Sequence, residues 1–389
     1  MIRLINPYTP GAGLMPTYLA GRKKLIKEAK ESILFLKSGY PQRPTAYYGL
    51  RGVGKTVLLN TIEEFSLENN IIYEHIEIIE KRDFLLQLTN ICRKFINRLN
   101  KIEQAKSLID KALSTLENFN LTYTIGDSSI SAEVNKKNFE LLSDDLTELF
   151  VIMGNAAKKS GDCIIFFIDE IQYAKEEELS SIINALHRTG QLRLPITFFV
   201  AGLNKILKQF SEIKTYSERM FDFKEITSLN YEETKKAIIE PVKDLSVDYD
   251  EEAVKKIYDL TGGYPYFIQF FCDNLWRNID KVNNITINDV NSTINSYFKR
   301  LDEGFFKSRF DRCTDKEKEF IQAMVKCGEL PCTINNVAKI LKKSVGSISP
   351  TRAQLINKGI IYSVKYGEID FTVPQFDFFL KRVIKDINL

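Results

Sequence analysis

GLRGVGKT, residues Gly49–Thr56, is the stretch of sequence that decides the fold. Two glycines separated by four residues are followed by Lys-Thr. The apolar run Ala46–Tyr48 precedes this stretch and Val57–Ile62 follows it, which predicts a strand, a loop and a helix in that order. In that arrangement the backbone N–H groups of the loop and the N-terminus of the helix face phosphate groups. The stretch therefore predicts a nucleoside triphosphate site, and the alternative is a glycine turn before a surface helix.

The predicted contacts with the nucleotide come from this loop and the first residues of the helix. Lys55 is expected to reach the β- and γ-phosphates, and the Thr56 hydroxyl is expected to coordinate Mg²⁺. The nucleotide-binding residues predicted here are Gly49, Leu50, Arg51, Gly52, Val53, Gly54, Lys55, Thr56 and Val57.

A second element, which is acidic, completes the expected site. Cys163–Ile168 is a continuous apolar run, typical of a strand that is buried on both faces, and it ends in Asp169 and Glu170. Asp169 is expected to hold the hydration shell of Mg²⁺, and Glu170 to polarise a water for attack on the γ-phosphate. The alternative is a strand end that is merely followed by two acidic residues.

A third apolar run, Ile196–Ala201, predicts another strand of the same sheet, and Asn204 follows it. The carboxyl ends of neighbouring parallel strands converge on the ligand. Asn204 therefore either hydrogen-bonds the attacking water or the γ-phosphate, or is an asparagine favoured by a turn.

Composition restricts the class of protein but not its partner. The chain has 389 residues, 44% of them hydrophobic and 27% charged, which is long enough for two or three domains. The formal net charge of +3 neither demands nor excludes an acidic partner. No run approaches the roughly 18 apolar residues of a membrane span, and Met1–Pro7 lacks the features of a secretory signal. We therefore expect a cytoplasmic protein with no membrane partner and with reduced cysteines that serve in packing.

The phosphate loop, the Asp169-Glu170 pair, the strand that ends near Asn204 and the sequence Gly262–Pro265 together resemble a known family. They are similar to the AAA+ and STAND P-loop ATPases, in particular to the origin-recognition-like ATPases of bacteria and archaea with a C-terminal winged helix. The resemblance extends over nearly the whole chain. It implies an α/β P-loop ATPase core with a five-stranded parallel sheet, a helical lid and a C-terminal winged-helix domain. It also implies ATP as the nucleotide, and no Asn-Lys-x-Asp guanine motif occurs.

The resemblance also covers residues that would contact the adenine or approach the nucleotide from the lid. Tyr18 and Leu19 look like the family's N-terminal segment that covers the adenine. The alternative is that they only form the segment that leads into the first helix. Pro265 matches the proline of the GG-x-P box, which approaches the nucleotide from the lid. The alternative for this box is a helix end followed by a new helix start.

Arginines in this family complete the site from the lid or from a neighbouring protomer. The lid helix that begins near Pro265 has no arginine at its start, which departs from many AAA+ proteins and puts sensing of the γ-phosphate within one chain in doubt. Arg219 is the best-placed candidate for a finger that enters the site of a neighbour, and Arg188 is the second. Either could instead be an ordinary cation at the end of a helix.

The predicted domain organisation has three parts: residues 1–228 as the ATPase core, 229–304 as the helical lid and 305–389 as the winged-helix domain. The core carries an insertion at about residues 84–160, with amphipathic helices over Phe84–Asn118 and a β-hairpin over Leu121–Val134. Such an insertion either contacts a partner or decorates the core.

The last part is predicted to contain three short helices and a two-stranded wing. Its third helix is predicted over Pro350–Lys358, with Ser349 as N-cap and Pro350 in the first position. Basic residues that could form one face toward phosphates are Lys342, Lys343, Arg352, Lys358 and Lys365. This face would bind double-stranded DNA, or the domain would contact protein instead.

The leading functional prediction is an ATPase that uses Mg²⁺, hydrolyses ATP to ADP and phosphate, and assembles as a homo-oligomer on DNA. The alternative is a STAND-like signalling switch in which the nucleotide controls a surface that binds a protein partner. A small-molecule kinase is disfavoured, because Glu170 directly after Asp169 suits the activation of water.

Overall fold

The structure, a computed structural model, describes residues 5–79, 84–99, 106–127, 132–213, 217–279 and 283–387. The chain forms two compact units. The first, which we call the sheet unit, comprises Arg22–Gly49 and Lys55–Ile226. The second, the helical unit, comprises Met1–Gly21, Leu50–Gly54 and Thr227–Leu389.

A parallel five-stranded sheet forms the centre of the sheet unit. Its strands are β1 (Thr45–Tyr48), β2 (Ile72–Glu77), β3 (Ile164–Asp169), β4 (Ile196–Gly202) and β5 (Asp222–Glu225). They lie in the order β2-β3-β4-β1-β5, so β1 pairs with both β4 and β5. Every residue of β3 and β4 is buried, as their largely apolar sequences predict. The predicted five-stranded parallel sheet is confirmed.

Eight helices of the sheet unit surround this sheet in the part of the chain that the structure describes. They are α1 (Lys23–Lys37), α2 (Lys55–Glu68), α3 (Phe84–Leu99), α4 (Lys106–Asp127), α5 (Ala132–Ser160), α6 (Glu176–Gln191), α7 (Ile206–Ile213) and α8 (Ser217–Met220). Phe95 of α3 and Phe150 of α5 pack on Phe166 of β3, with ring centroids 4.8 and 5.2 Å apart. The insertion therefore contributes its own aromatic residues to the core.

The β-hairpin predicted over Leu121–Val134 is wrong for the residues that are described there. Helix α4 continues to Asp127 and α5 begins at Ala132, while residues 128–131 lie outside the described part. The two helices pack against each other, and Lys111 pairs with Glu148 at 2.8 Å. The amphipathic pattern of the long flanking segments thus outweighs a short alternation around Gly126, a residue that also suits the end of a helix.

The helical unit contains the helices predicted for the lid, followed by a C-terminal region. Its helices are α9 (Tyr231–Ile239), α10 (Glu251–Thr261), α11 (Pro265–Asn278), α12 (Ile287–Leu301), α13 (Lys307–Asp311), α14 (Asp315–Lys326), α15 (Ile334–Leu341), α16 (Val345–Asn357) and α17 (Phe376–Ile387). Its strands are β6 (Asp248–Tyr249), β7 (Asn284–Ile285), β8 (Cys332–Thr333), β9 (Ile361–Lys365) and β10 (Glu368–Phe371). Strands β8, β10 and β9 form an antiparallel sheet in that order.

Helix α16 begins earlier than the sequence predicts. The predicted cap was Ser349 with Pro350 in the first helical position, but the helix starts at Val345 and has Pro350 in its interior. Ser344 is the N-cap, since its hydroxyl accepts a hydrogen bond from the N–H of Ser347 at 3.2 Å. Two serine caps were available, and the helix uses the earlier one, which places Pro350 as its sixth residue, beyond the first turn.

Candidate nucleotide site

The phosphate loop connects the end of β1 to the start of α2. Gly52 and Gly54 have φ angles of +82° and +92°, in the left-handed region that favours glycine. The N–H of Gly49 donates to the carbonyl of Gly202 at 3.3 Å, which fixes the start of the loop beside the end of β4. The local order is therefore strand, glycine-rich loop and helix.

Lys55 and Thr56 open helix α2 with their side chains in defined contacts. The Lys55 side chain is buried, with a relative exposure of 8%, and its Nζ donates to the carbonyl of Gly49 at 3.0 Å. The Thr56 hydroxyl donates to Oδ2 of Asp169 at 2.5 Å. The hydroxyl and the carboxylate predicted to serve the same cation thus touch each other, and oxygen atoms of these two types are ligands that Mg²⁺ prefers.

Asp169 and Glu170 lie at the end of β3, and their backbone is unusual. Asp169 is 3% exposed, and its Oδ1 accepts the N–H of Glu170 at 2.7 Å. Glu170 has φ +54°, a left-handed conformation that is uncommon for a residue with a Cβ, and it begins a single 3₁₀ turn over Ile171–Tyr173. Such backbone conformations persist only where surrounding contacts enforce them, and they cluster at functional sites.

Gln172 is a residue of this site that the sequence motifs did not indicate. Its Nε2 donates to Oε2 of Glu170, and its Oε1 accepts the N–H of Leu203 at 3.0 Å. One side-chain amide therefore connects the acidic end of β3 to the end of β4. The only signal in the sequence was a glutamine two residues after the acidic pair.

Asn204 follows the end of β4, which lies between β3 and β1 in the sheet. Its Oδ1 is buried and has no hydrogen-bond partner among the described residues. A buried acceptor that lacks a donor costs about 1–3 kcal/mol. A donor supplied from outside the chain, such as water, would remove this cost.

The helical unit contains the rest of the loop and the Gly262–Pro265 segment. The carbonyl of Gly52 accepts the N–H of Tyr266 at 3.3 Å, and Pro265 is the first residue of α11. The structure thus brings the segment that resembles the GG-x-P box to loop residues Leu50–Gly54. Tyr18 and Leu19 belong to the same unit and are half-buried.

Arg309 is a second residue that the sequence motifs did not indicate. Its guanidinium lies 3.8 Å from the centre of the Phe305 ring and donates to the Phe305 carbonyl at 2.9 Å. Burial, and after it the charge of Arg51, lower the pKa of Arg309 to about 10. Two cations thus lie near each other on the phosphate-loop side of the helical unit, an arrangement that a bound anion would stabilise.

The two finger candidates lie on the surface of the sheet unit. Arg219 is exposed on α8, directly before β5, and its carbonyl accepts Nη1 of Arg43 at 3.4 Å. Arg188 is exposed in the last turn of α6, where its Nη1 donates to Oε1 of Gln191 at 3.3 Å. The role of either in a neighbouring site remains a prediction.

Several of the basic residues predicted to face DNA have acidic partners in the C-terminal region. Lys343 pairs with Glu319 at 3.3 Å and Lys365 with Glu368 at 3.0 Å. Lys358 donates to Glu317, a carboxylate that is 1% exposed, at 2.7 Å. We therefore expect Lys358 to stay paired with Glu317, because the Glu317 carboxylate would otherwise be buried without a counter-charge.

Five of the six cysteines are buried, and Cys327 is half-buried. The residues that the structure describes contain no cluster of three or more histidine, cysteine or acidic side chains that could hold a metal ion. Burial raises the pKa of the Cys163 and Cys332 thiols to about 12. None of the described helices is both long and apolar enough to cross a membrane.

Comparisons with known proteins identify a matching family model and solved structures of similar fold. A family model described as Domain of unknown function (DUF8462) matches residues 303–380. A comparison with curated protein sequences finds no match. The Walker-type ATPase PABY2304 of Pyrococcus abyssi is similar to this chain, with a TM-score of 0.55 and 13% sequence identity over 93% of this chain and 96% of that one.

Two further solved structures are similar at a lower score. The Aeropyrum pernix ORC1 protein, solved in complex with DNA, has a TM-score of 0.47 and 11% identity, and the match covers 95% of this chain and 94% of that one. Cdc6p from Pyrobaculum aerophilum has a TM-score of 0.47 and 14% identity, with 96% of each chain covered.

The sheet, its strand order and the likeness to PABY2304 define the fold as that of a Walker-type P-loop ATPase. The predicted likeness to P-loop ATPases is thus confirmed at the level of the fold.

Proposed function

We propose that the protein binds ATP together with Mg²⁺ and hydrolyses it to ADP and phosphate. The observation that carries this proposal is the contact at 2.5 Å between the Thr56 hydroxyl and Asp169, directly before Glu170. A hydroxyl at the start of a helix after a glycine-rich loop and a buried carboxylate at the end of a parallel strand form a cation site of this type. The fold shared with PABY2304 supports the same class of activity.

The residues of the site have separate tasks. Mg²⁺, when bound, neutralises charge on the phosphate oxygens, and Thr56 and Asp169 would hold it. The Nζ of Lys55 donates to the carbonyl of Gly49 at the start of the loop. When the nucleotide binds, phosphate oxygens can replace this carbonyl as the acceptor. Glu170 takes the proton from the attacking water, and Asn204, whose Oδ1 has no donor among the described residues, orients that water.

Two substitutions separate binding from turnover. Lys55→Ala is expected to abolish binding of a fluorescent ATP analogue, because it removes the charged side chain that would contact the β- and γ-phosphates. Glu170→Gln is expected to keep ATP bound and to lower turnover by roughly 10²–10⁴-fold, the usual contribution of a general base. Glu177→Gln, the same change at an exposed site in the first turn of α6, is the matched control. Normal turnover of Glu170→Gln would overturn the water-activating role.

We further propose that α14, β8, α15, α16, β9 and β10 form a winged helix that binds double-stranded DNA. The order of these elements and the antiparallel sheet β8-β10-β9 support it. The tip of the β9–β10 hairpin presents Lys365 and Tyr366, and Tyr366 has a relative exposure of 105%, which leaves its ring available for a partner. Arg352 on α16 donates to the Ser363 hydroxyl at 2.8 Å and could exchange this neutral acceptor for phosphate.

The test of DNA binding is a triple charge removal at Lys342, Lys343 and Arg352, with Lys358 left in place because it stabilises buried Glu317. Duplex affinity should fall, and the slope of log affinity against log salt should lessen by about 0.9 for each phosphate that is no longer neutralised. Charge removal at exposed Lys24, Lys27 and Lys208 of the sheet unit is the control. An unchanged affinity and salt slope would remove the DNA role from this surface.

A signalling switch is the second candidate function, and one contact favours it. The hydrogen bond between Gly52 and Tyr266 joins the phosphate loop directly to the first turn of α11, so a nucleotide that moves the loop would move α11. In this case a homo-oligomer, or a complex with a protein partner, would form with ATP in the absence of DNA. Size-exclusion chromatography with ADP, with ATP and with ATP plus duplex distinguishes the two functions, since assembly that requires duplex supports the DNA-bound ATPase.

A further inference from the structure

Gln172, the middle residue of the 3₁₀ turn, makes two hydrogen bonds with its side-chain amide. Its Nε2 donates to the Glu170 carboxylate, while its Oε1 accepts the N–H of Leu203 at 3.0 Å. Leu203 is the residue directly before Asn204. The amide therefore lies between the two groups that the proposed reaction needs around the attacking water.

The surroundings of Gln172 fix its amide in place. The side chain is 2% exposed, so its two hydrogen bonds are shielded from exchange with bulk water. A Cβ at Gly202 would lie 2.9 Å from Oε1 of Gln172 and 2.7 Å from a methyl group of Ile206. The absence of a side chain at Gly202 is thus what leaves room for the amide at the end of β4.

We propose that Gln172 is a positioning residue for ATP hydrolysis, an inference that rests on the proposed ATPase function. By donating to Glu170 and accepting from Leu203, it holds the water-activating carboxylate and Asn204 at a fixed separation. Glutamine suits this position because a single planar group must donate at one end and accept at the other. The role matters because Glu170 sits on a left-handed backbone, which does not by itself direct its carboxylate.

The first test is Gln172→Met, which has a similar length and volume but cannot make either hydrogen bond. We expect kcat to fall by roughly 10²-fold, the effect of a misplacement of about 1 Å in a catalytic group. KM for ATP and the affinity for ADP should change by less than about threefold, because the two side-chain hydrogen bonds of Gln172 reach Glu170 and Leu203 and not the phosphate loop. Gln209→Leu is the matched control, since it removes the hydrogen bond from Gln209 Nε2 to the Gln172 backbone carbonyl at 3.3 Å but leaves the amide bridge.

A second variant tests the donor alone. Gln172→Glu retains an oxygen for the Leu203 N–H but replaces the donor to Glu170 with a second acceptor. We expect the same loss of kcat as for Gln172→Met, and this variant decides the question if Gln172→Met does not yield folded protein. Equal kcat in wild type and in a folded Gln172→Glu variant would overturn the proposal.

A double variant shows whether Gln172 acts through Glu170. Adding Gln172→Met to Glu170→Gln should lower the residual turnover by less than about threefold, because the carboxylate that Gln172 positions is already absent. A further loss close to the 10²-fold of the single variant would mean a separate, structural role and would overturn the inference. If wild type hydrolyses ATP and Glu170→Gln shows the expected loss of roughly 10²–10⁴-fold, the proposed function stands whatever the Gln172 variants show, so the two failures are distinguishable.

Discussion

Gly263 allows a prediction whose magnitude follows from the backbone. It has φ +69°, and a Cβ there would lie 2.0 Å from the carbonyl oxygen of Leu229, well below the 3.0 Å that Cβ atoms keep. Its neighbour Gly262 also has a left-handed φ, +61°, but a Cβ at this position would meet no atom within 4 Å. The pair Gly263→Ala and Gly262→Ala thus separates steric overlap from the cost of the backbone conformation.

The two substitutions should differ in their effect on the free energy of unfolding. A left-handed φ costs a residue with a Cβ roughly 1–2 kcal/mol, which is the whole expected effect of Gly262→Ala. Gly263→Ala adds overpacking against a backbone atom, about 1–3 kcal/mol, and weakens the hydrogen bond from the Leu229 N–H to the Gly263 carbonyl, about 1 kcal/mol. This bond is 2.8 Å long in the structure. The expected difference between the variants is therefore about 2–4 kcal/mol.

Urea unfolding and thermal melting of both variants measure this difference. Since 1 kcal/mol shifts the Tm by about 2–4 °C in a unit of this size, Gly263→Ala should melt at least about 4 °C below Gly262→Ala. It should also weaken nucleotide binding, because Gly263 leads into α11, whose Tyr266 contacts Gly52. Equal melting temperatures and equal nucleotide affinities would refute the argument that Leu229 leaves no room for a side chain.

Four further substitutions test other parts of the molecule. Thr56→Val keeps the shape but removes the hydroxyl beside Asp169, so titration with Mg²⁺ should no longer raise ATP affinity or turnover; an unchanged Mg²⁺ dependence would contradict the cation role. Arg219→Ala should lower turnover without changing ATP affinity, whereas Arg188→Ala should leave both turnover and ATP affinity unchanged. The reverse result would assign the finger to Arg188. Burial acts to raise the pKa of Glu317, but hydrogen bonds from Lys358 and from the N–H of Thr314 outweigh it and leave that pKa below its ordinary value of 4.5. Its stabilising contribution is thus present above about pH 4.5 and disappears as the pH falls through the lowered pKa, so Glu317→Gln should melt lower than wild type at pH 7 but lose less stability between about pH 5 and 3. Parallel Tm curves for the two proteins would contradict this.

The sheet could be predicted because its strands carry a strong local signal. The run Cys163–Ile168 is apolar at every position and Ile196–Ala201 at every position but Thr197, a pattern typical of strands covered on both faces. The glycine-rich loop has a similarly local cause, since Gly52 and Gly54 adopt φ angles that other residues avoid. These features are decided within a few neighbouring residues, so the sequence is sufficient to find them.

Contacts between distant residues could not be predicted in the same way. Arg309 lies beside Arg51, and Gln172 beside Leu203, only because of the tertiary fold, and no spacing in the sequence encodes either pair. The incorrect hairpin over 121–134 has a related cause. A short alternating pattern is compatible with both strand and helix, and the packing of α4 on α5 decides between them.

Two departures from ordinary local structure in the sheet unit lie near the acidic end of β3. Glu170 has a left-handed backbone, which costs about 1–3 kcal/mol, and the buried Oδ1 of Asn204 lacks a donor among the described residues, at a similar cost. Neither feature stabilises the fold, and both lie next to β3 and β4, whose complete burial can sustain them. Because the Gln172 amide joins Glu170 to Leu203, the residue directly before Asn204, a single arrangement relates the strain at Glu170, the Oδ1 of Asn204 that is unpaired among the described residues and the small residue at Gly202. We therefore attribute the strain to the positioning of a water rather than to a defect of packing.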